Sequence, residues 1–217
     1  MRSSIIIAID GPAASGKSTV ARRLARRLML AYVNSGAMYR AVTWWMLRHG
    51  AEPEKPESVL ERLREMEVEC GLVHGASTVQ VSGEDPEAHL CDEEVNQNVS
   101  AVARIPEVRR LLVDKQREYA ESCDLVMEGR DIGSVVFPDT PYKFYIDASP
   151  EVRARRRAAQ GQRDAITDRD RADTSRKASP LAIAEDAYVI DSSNLTIDGV
   201  VGEIIGRLKL KGMDIPD

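Results

Sequence analysis

Residues 5–19, IIIAIDGPAASGKST, decide the fold of this 217-residue chain. The β-branched apolar run at the start is typical of a buried strand, and it stops at a glycine-rich loop. Gly11 and Gly16 bracket four residues, and Lys17 and Ser18 complete the spacing G-x-x-x-x-G-K-S/T. This order of strand, loop, lysine and hydroxyl predicts a loop that binds the phosphates of a nucleotide.

The chemistry of this phosphate loop follows from its residue types. Glycines let the backbone curl so that its N–H groups point at an anion, while Lys17 adds charge and Ser18 offers a hydroxyl to Mg²⁺. A helix predicted from Lys17, with Val20, Leu24 and Leu28 on one face, directs its positive dipole end at the same anion. A Gly/Ser turn between core elements is the alternative interpretation. The expected nucleotide-binding residues are Gly11, Pro12, Ala13, Ala14, Ser15, Gly16, Lys17, Ser18 and Thr19.

The composition indicates an ordinary globular protein. A chain of 217 residues can form one large core, or a core with small insertions, and its apolar content of 43% is typical of soluble proteins. No apolar run reaches membrane-spanning length, and the N-terminal run leads straight into the phosphate loop. We therefore expect a cytoplasmic protein without a membrane partner. The net charge of −5 argues against a general nucleic-acid-binding surface, so no nucleic-acid partner is expected.

The cysteines carry little information about function. Cys70, Cys91 and Cys123 are widely separated, and no C-x-x-C pair occurs. The histidines have no ligand-like spacing with them. We interpret the cysteines as free thiols rather than as a zinc site or a disulfide framework.

The rest of the chain alternates predicted strands and helices. Strands are predicted at residues 31–33, 123–129, 142–147 and 187–191, and alternation around a Gly/Ser turn predicts a β-hairpin at 67–83. Helices are predicted from residues 34–35 to near residue 50, at 59–67, over 92–122 with a break near Pro106, from Pro150 after the cap Ser149, and from the cap Thr196 onward. Trp44 and Trp45 are interpreted as core residues, with base stacking as the alternative. This alternation predicts an α/β fold in three layers, with a parallel sheet covered by helices.

Three segments that follow predicted strands are expected to meet at one edge of this sheet. They are the phosphate loop, NSGAMYR at residues 34–40 and GRD at 129–131. Because phosphoryl transfer brings two anions together, it needs cations from more than one direction. Arg40 and Arg130 are placed to hold a second phosphate. Arginines that merely solvate the surface are the alternative.

A polar segment near residue 170 carries Arg169, Arg171 and Arg176 among aspartates. It is too poor in apolar residues to form core. We interpret it as a lid that closes over the substrates and excludes water, which otherwise competes as the phosphoryl acceptor.

Five segments together resemble the bacterial cytidylate kinase family. They are IDGPAASGKST, NSGAMYRAVT, EGRDIGSVVFPD, DRDRADTSRKASPL and AYVID, in this order along nearly the whole chain. The resemblance implies phosphoryl transfer from ATP to CMP or dCMP, with these nucleotides as the small-molecule partners and Mg²⁺ as cofactor. It also implies one P-loop kinase domain over residues 1–217, with a nucleoside-monophosphate lobe at about 60–95 and a lid at about 160–178. We expect a monomer.

The resemblance assigns roles to individual residues. Those expected to face the cytosine are Ser35, Ser100, Arg109 and Asp131. Those expected to hold the CMP phosphate are Arg40, Arg130 and Arg176, and those expected to contact the ribose are Arg169 and Asp173. The expected catalytic residues are Lys17, Arg130 and Arg176, with Ser18 as the Mg²⁺ ligand alongside waters.

The chain departs from the family pattern at three places. Asn34 stands where the family usually has an aspartate, and Cys91 and Asp92 replace an arginine and a threonine. The stretch between the helix at Pro150 and the lid is short.

Three other functions are compatible with a phosphate loop. A kinase for another small acceptor, such as shikimate or adenylate, does not need the segment GRDIGSVVFPD or the hairpin. A GTP switch needs an N-K-x-D segment, which the sequence lacks. A phosphate-loop ATPase of an assembly needs an acid linked to Mg²⁺ at a strand end, for which Asp147 is a candidate.

Overall fold

The computed structural model describes residues 4–159 and 182–215. One sheet runs through this part of the chain, with the strands β1 (Ile6–Asp10), β2 (Ala31–Asn34), β3 (Val68–Val73), β4 (Ala76–Val81), β5 (Leu125–Gly129), β6 (Tyr142–Asp147) and β7 (Tyr188–Asp191). Their order is β3-β4-β2-β5-β1-β6-β7, and all neighbours are parallel except the hairpin pair β3 and β4. The predicted parallel α/β sheet is confirmed.

Helices cover both faces of the sheet. They are α1 (Lys17–Leu28), α2 (Ser35–Arg48), α3 (Pro56–Leu63), α4 (Glu93–Ala103), α5 (Pro106–Ser122), α6 (Pro150–Ala159) and α7 (Ile197–Leu210). Alternate residues of β1 point to opposite faces, as the two-residue period of a strand requires. Ala8 joins the buried cluster formed with α2, α4 and α5, whereas Ile7 and Ile9 join the cluster formed with α1 and α7. The sheet is therefore buried on both sides.

Helix ends follow the capping residues of the sequence. Asn34 accepts a hydrogen bond from the Ala37 N–H at 3.1 Å, and Thr196 accepts one from the Gly199 N–H at 3.1 Å. Pro106 separates α4 from α5, as predicted. Helix α3 begins at Pro56, earlier than the predicted residue 59, because proline is favoured in the first turn of a helix.

The predicted β-hairpin at residues 67–83 is confirmed, and it extends the main sheet. Its turn contains His74 and Gly75, both with positive φ, at 51° and 75°. Strand β4 pairs with β2 through Tyr32 and Ala76, and the Tyr32 N–H donates to the Gly75 carbonyl at 2.8 Å. The hairpin thus packs beside the strand that leads into α2.

The tryptophans and the cysteines behave as the sequence predicts. Trp44 and Trp45 are buried in the core, as interpreted from the sequence, and the rings of His89 and His49 stack on them. The three cysteines are free thiols. Within residues 4–159 and 182–215, no helix combines the length and apolar character needed to cross a bilayer.

Candidate functional site

A cleft of about 700 Å³ opens at the carboxyl ends of β1, β2 and β5. The strand register aligns these ends, since Asp10 pairs with Gly129 and Asn34 pairs with Glu128. Twelve of the predicted site residues line the cleft: Ala13, Ala14, Gly16, Lys17, Ser18, Thr19, Ser35, Arg40, Ser100, Arg109, Arg130 and Asp131. The other loop residues, Gly11, Pro12 and Ser15, are buried. Arg169, Asp173 and Arg176, with the predicted lid, lie outside the described residues.

The phosphate loop curls between β1 and α1 through residues with positive φ. Ala14 has a φ of 59° and Gly16 a φ of 93°. At Gly11 a Cβ atom would collide with the carbonyl oxygen of Ile146, so only glycine allows the loop to pass this close to β6. Helix α1 then begins at Lys17, with its N-terminus at the cleft. This geometry suits an anion bound by backbone N–H groups.

Lys17 lies beside a buried carboxylate that the sequence analysis missed. Its Nζ donates to the Pro12 carbonyl at 3.1 Å and lies 4.0 Å from Oε2 of Glu128, which is 3% exposed. The Tyr32 hydroxyl donates to the other oxygen, Oε1, at 3.3 Å. Asp147, the acid named from the sequence, instead accepts from the Ala148 N–H at 2.8 Å and is not among the described residues that line the cleft.

Besides Arg109, three arginines line the predicted acceptor side of the cleft. Arg40 and Arg130 were predicted there, whereas Arg157 of α6 was missed. Burial lowers the pKa of Arg40, and the neighbouring positive charges of Arg130 and Arg157 lower it further. Because these guanidinium groups repel one another, an anion bound among them relieves that repulsion. The signal for Arg157 was its spacing of four residues from Arg153 in a helix with little apolar surface.

Arg109 and Asp131, both predicted to face the base, form a buried ion pair between Nη2 and Oδ2. Each residue is 5% exposed. The Arg109 guanidinium also lies 5.5 Å from the centre of the Tyr39 ring. Ser35 donates its hydroxyl to the Glu128 carbonyl at 2.8 Å, so its oxygen keeps lone pairs for accepting a hydrogen bond.

Asp10 holds the backbone that follows Asp131, which the sequence analysis did not foresee. Its two carboxylate oxygens accept the N–H groups of Ile132 and Gly133, each at 2.8 Å. Burial raises the pKa of Asp10 to about 7, although these two hydrogen bonds act in the opposite direction. The end of β1 therefore fixes the turn that carries Asp131.

A second cavity, of about 810 Å³, runs along the outer face of α1. Its walls contain Asp198 and Val201 of α7. They also contain four exposed arginines of α1, which are Arg22, Arg23, Arg26 and Arg27. Of those predicted site residues that lie within 4–159 and 182–215, it reaches Ser18 and Thr19 alone. The smaller cleft, which brings the predicted donor and acceptor residues together, is the candidate site.

Comparisons with known sequences and solved structures identify relatives of this chain. The sequence profile described as cytidylate kinase matches residues 7–210. A cytidylate kinase from Streptomyces griseus subsp. griseus is 42% identical over 209 residues, covering 92% of this chain and 90% of that protein. One from Caldanaerobacter subterraneus subsp. tengcongensis is 42% identical over 217 residues, covering 95% of both chains. The solved structure of TT1252 from Thermus thermophilus shares the fold, with a TM-score of 0.50 and 20% identity over 98% of this chain and all of that one. The chain therefore belongs to the cytidylate kinase family.

Proposed function

We propose that this member of the cytidylate kinase family transfers the γ-phosphoryl group of ATP to CMP or dCMP, giving ADP and CDP or dCDP. Family membership supports CMP as the acceptor. The observation that carries the proposal is that residues of the phosphate loop line the same cleft as Arg40, Arg130 and Arg157. A loop built for a triphosphate and a second cationic cluster beside it fit two phosphorylated substrates.

The reaction needs positioning and charge stabilisation more than covalent help from the protein. An oxygen of the CMP phosphate attacks the γ-phosphorus as the bond from that phosphorus to the bridging oxygen of ADP breaks. Lys17 would neutralise charge on the donor, and Arg40 and Arg130 would hold the attacking phosphate in line. Arg157 approaches from α6 and would neutralise charge between the two.

Mg²⁺ would accompany ATP at the start of α1. The exposed Ser18 hydroxyl and the buried Glu128 carboxylate both line the cleft, and oxygen ligands are those that Mg²⁺ prefers. These residues fit a metal that keeps most of its bonds to phosphate oxygens and water. When bound, Mg²⁺ would neutralise charge that develops on the transferring phosphates.

Base selection would rest on Asp131, Arg109, Ser35 and Ser100. An ionised carboxylate can only accept, so it favours the amino group of cytosine and disfavours the carbonyl of uracil. Since Arg109 engages Oδ2 of Asp131, the second carboxylate oxygen is the one proposed to face the base. The Ser35 oxygen would accept in the same way.

The remaining assignments extend beyond the described residues. Arg176 would hold the CMP phosphate, and Arg169 and Asp173 would contact the ribose, from the lid proposed at about residues 160–178. We propose a single kinase domain over residues 1–217, with a monophosphate lobe at about 60–95. We further propose that it acts as a cytoplasmic monomer.

ADP release with one acceptor at a time tests the proposed function. The panel is CMP, dCMP, UMP, AMP, GMP, shikimate and no acceptor, with ATP and Mg²⁺ throughout. CMP and dCMP should give the highest kcat/KM, and ADP release without acceptor should stay near background. Faster turnover with AMP or shikimate, or ADP release that ignores the acceptor, would contradict the proposal.

A further inference from the structure

Three carbonyl groups of the phosphate loop accept hydrogen bonds from cationic side chains. Lys17 Nζ donates to the Pro12 carbonyl at 3.1 Å, and Arg153 Nη1 donates to the Ala13 carbonyl at 3.4 Å. Arg156 Nη1 donates to the Ser15 carbonyl at 3.1 Å. Two of these three cations come from α6, which lies far from the loop in sequence.

The Ser15 carbonyl is the most firmly held of the three. It accepts the Ser192 hydroxyl at 2.8 Å in addition to Arg156. Arg156 also donates to the Ser192 hydroxyl oxygen at 3.1 Å and to the Ser192 carbonyl at 2.8 Å. Ser192 is 4% exposed and follows β7, so this network ties the loop to both α6 and the end of the sheet.

Peptide planarity converts an anchored carbonyl into an oriented N–H group. In a trans peptide the C=O and the following N–H point in opposite directions. Holding the Ser15 carbonyl outward therefore turns the Gly16 N–H inward, and holding the Ala13 carbonyl does the same for Ala14. Gly16 and Ala14 are the positive-φ residues of the loop that line the cleft. Their N–H groups are the donors that a phosphate needs.

We infer that Arg156 and Ser192 are positioning residues for the donor nucleotide, acting through the Ser15 carbonyl on the N–H groups of the phosphate loop. Neither residue lines the cleft, so neither is placed to touch CMP. The inference rests on the proposed binding of ATP by this loop. It predicts a defect confined to the donor site, unlike that of a residue that merely stabilises the fold.

The test measures ATP·Mg²⁺ binding by calorimetry and the KM values for ATP and CMP. Arg156→Ala should weaken ATP binding by about tenfold, the scale of losing charge-assisted hydrogen bonds, while the KM for CMP changes less than about twofold. Arg156→Lys should recover part of the affinity, because an ammonium cannot reach all three acceptors at once. Ser192→Ala, a smaller change, should weaken ATP binding by a few-fold.

Arg155→Ala is the matched control, because Arg155 is the exposed neighbour on the same helix. It should leave both substrates unaffected. If Arg156→Ala does not fold, Ser192→Ala decides the question by itself. Unchanged ATP binding, or equal losses for ATP and CMP, would overturn the inference. Failure of the unsubstituted protein to phosphorylate CMP would count against the proposed function alone, since calorimetry measures ATP binding without an acceptor.

Discussion

The proposed donor and acceptor sides of the cleft are built in different ways. The donor side is one continuous stretch, residues 11–19, in which arginines of α6 hold the carbonyls of Ala13 and Ser15. The acceptor side gathers side chains from five separate parts of the chain: Arg40 of α2, Ser100 of α4, Arg109 of α5, Asp131 after β5 and Arg157 of α6. The donor site is thus local in sequence, whereas the acceptor site exists only in the folded chain.

The two sides differ in how much specificity they can provide. Backbone N–H groups recognise a phosphate and carry little information about the rest of the nucleotide. Side chains that converge from distant segments can discriminate between bases by their hydrogen-bonding pattern. We therefore expect donor-side substitutions to affect every acceptor equally, and acceptor-side substitutions to change the ranking of acceptors.

The largest expected effect is that of Lys17→Ala. Loss of the loop lysine should lower kcat by more than about 100-fold for CMP and UMP alike, because the charge acts on the donor phosphates. Initial-rate measurements with both acceptors check this, with Lys115→Ala, at a partly exposed lysine of α5 outside the cleft, as control. A loss of activity with only one of the two acceptors would show that Lys17 acts on the acceptor and not on the donor phosphates.

Asp10 precedes the phosphate loop and binds the backbone that follows Asp131, so it links the donor and acceptor sides. We expect its substitution to change the stability of the fold. The folded pKa of about 7 lies above the ordinary 3.8, so the stabilisation from protonated Asp10 is present below pH 4 and is lost as the pH rises through 7. The free energy of unfolding, relative to Asp10→Asn, should fall by a few kcal/mol across this window. Urea titrations at several pH values measure it.

Asp139→Asn, at an exposed carboxylate, is the control for this experiment. It should keep the pH dependence of the unsubstituted protein. The same pH dependence in Asp10→Asn would show that Asp10 does not titrate as described.

Asp131→Ala should change the ranking of acceptors. Removing the carboxylate should lower kcat/KM for CMP by roughly 1–3 kcal/mol in transition-state terms, with a much smaller loss for UMP. Because Arg109 is left buried and unpaired, Arg109→Ala and the double variant complete a mutant cycle. Equal losses for both acceptors would show that the pair supports the loop and does not read the base.

The smallest expected effect is that of Asn34→Asp, which restores the usual family residue. A carboxylate still caps α2, so thermal stability should change by less than about 0.5 kcal/mol. A Cβ atom at Gly36 would contact both Asn34 and Arg40, which places the new charge near this arginine. The KM for CMP should therefore rise a few-fold, as partial neutralisation of Arg40 predicts. An unchanged KM for CMP would contradict the proposal that Arg40 binds the phosphate of CMP.

Sequence reasoning succeeded where the signal is local. The start of α1 at Lys17, the cap Thr196 and the helix break at Pro106 each depend on neighbouring residues. It missed Glu128, Asp10 and Arg156 for a shared reason.

Those three residues act through contacts that no short window contains. Asp10 binds a backbone N–H 122 residues away, and Arg156 binds a carbonyl 141 residues away. The family resemblance supplied the acceptor residues as separate motifs. The ion pair between Arg109 and Asp131 became visible only once α5 and β5 were packed together.

The most direct test of the account is whether donor and acceptor phosphates meet in one cleft. A bisubstrate compound that joins adenosine and cytidine through five phosphates should bind at least about 100-fold more tightly than ATP alone in calorimetry, because one molecule then fills both sites. Lys17→Ala and Arg40→Ala should each weaken that binding. Affinity no greater than that for ATP, or binding that ignores Arg40, would contradict a shared cleft.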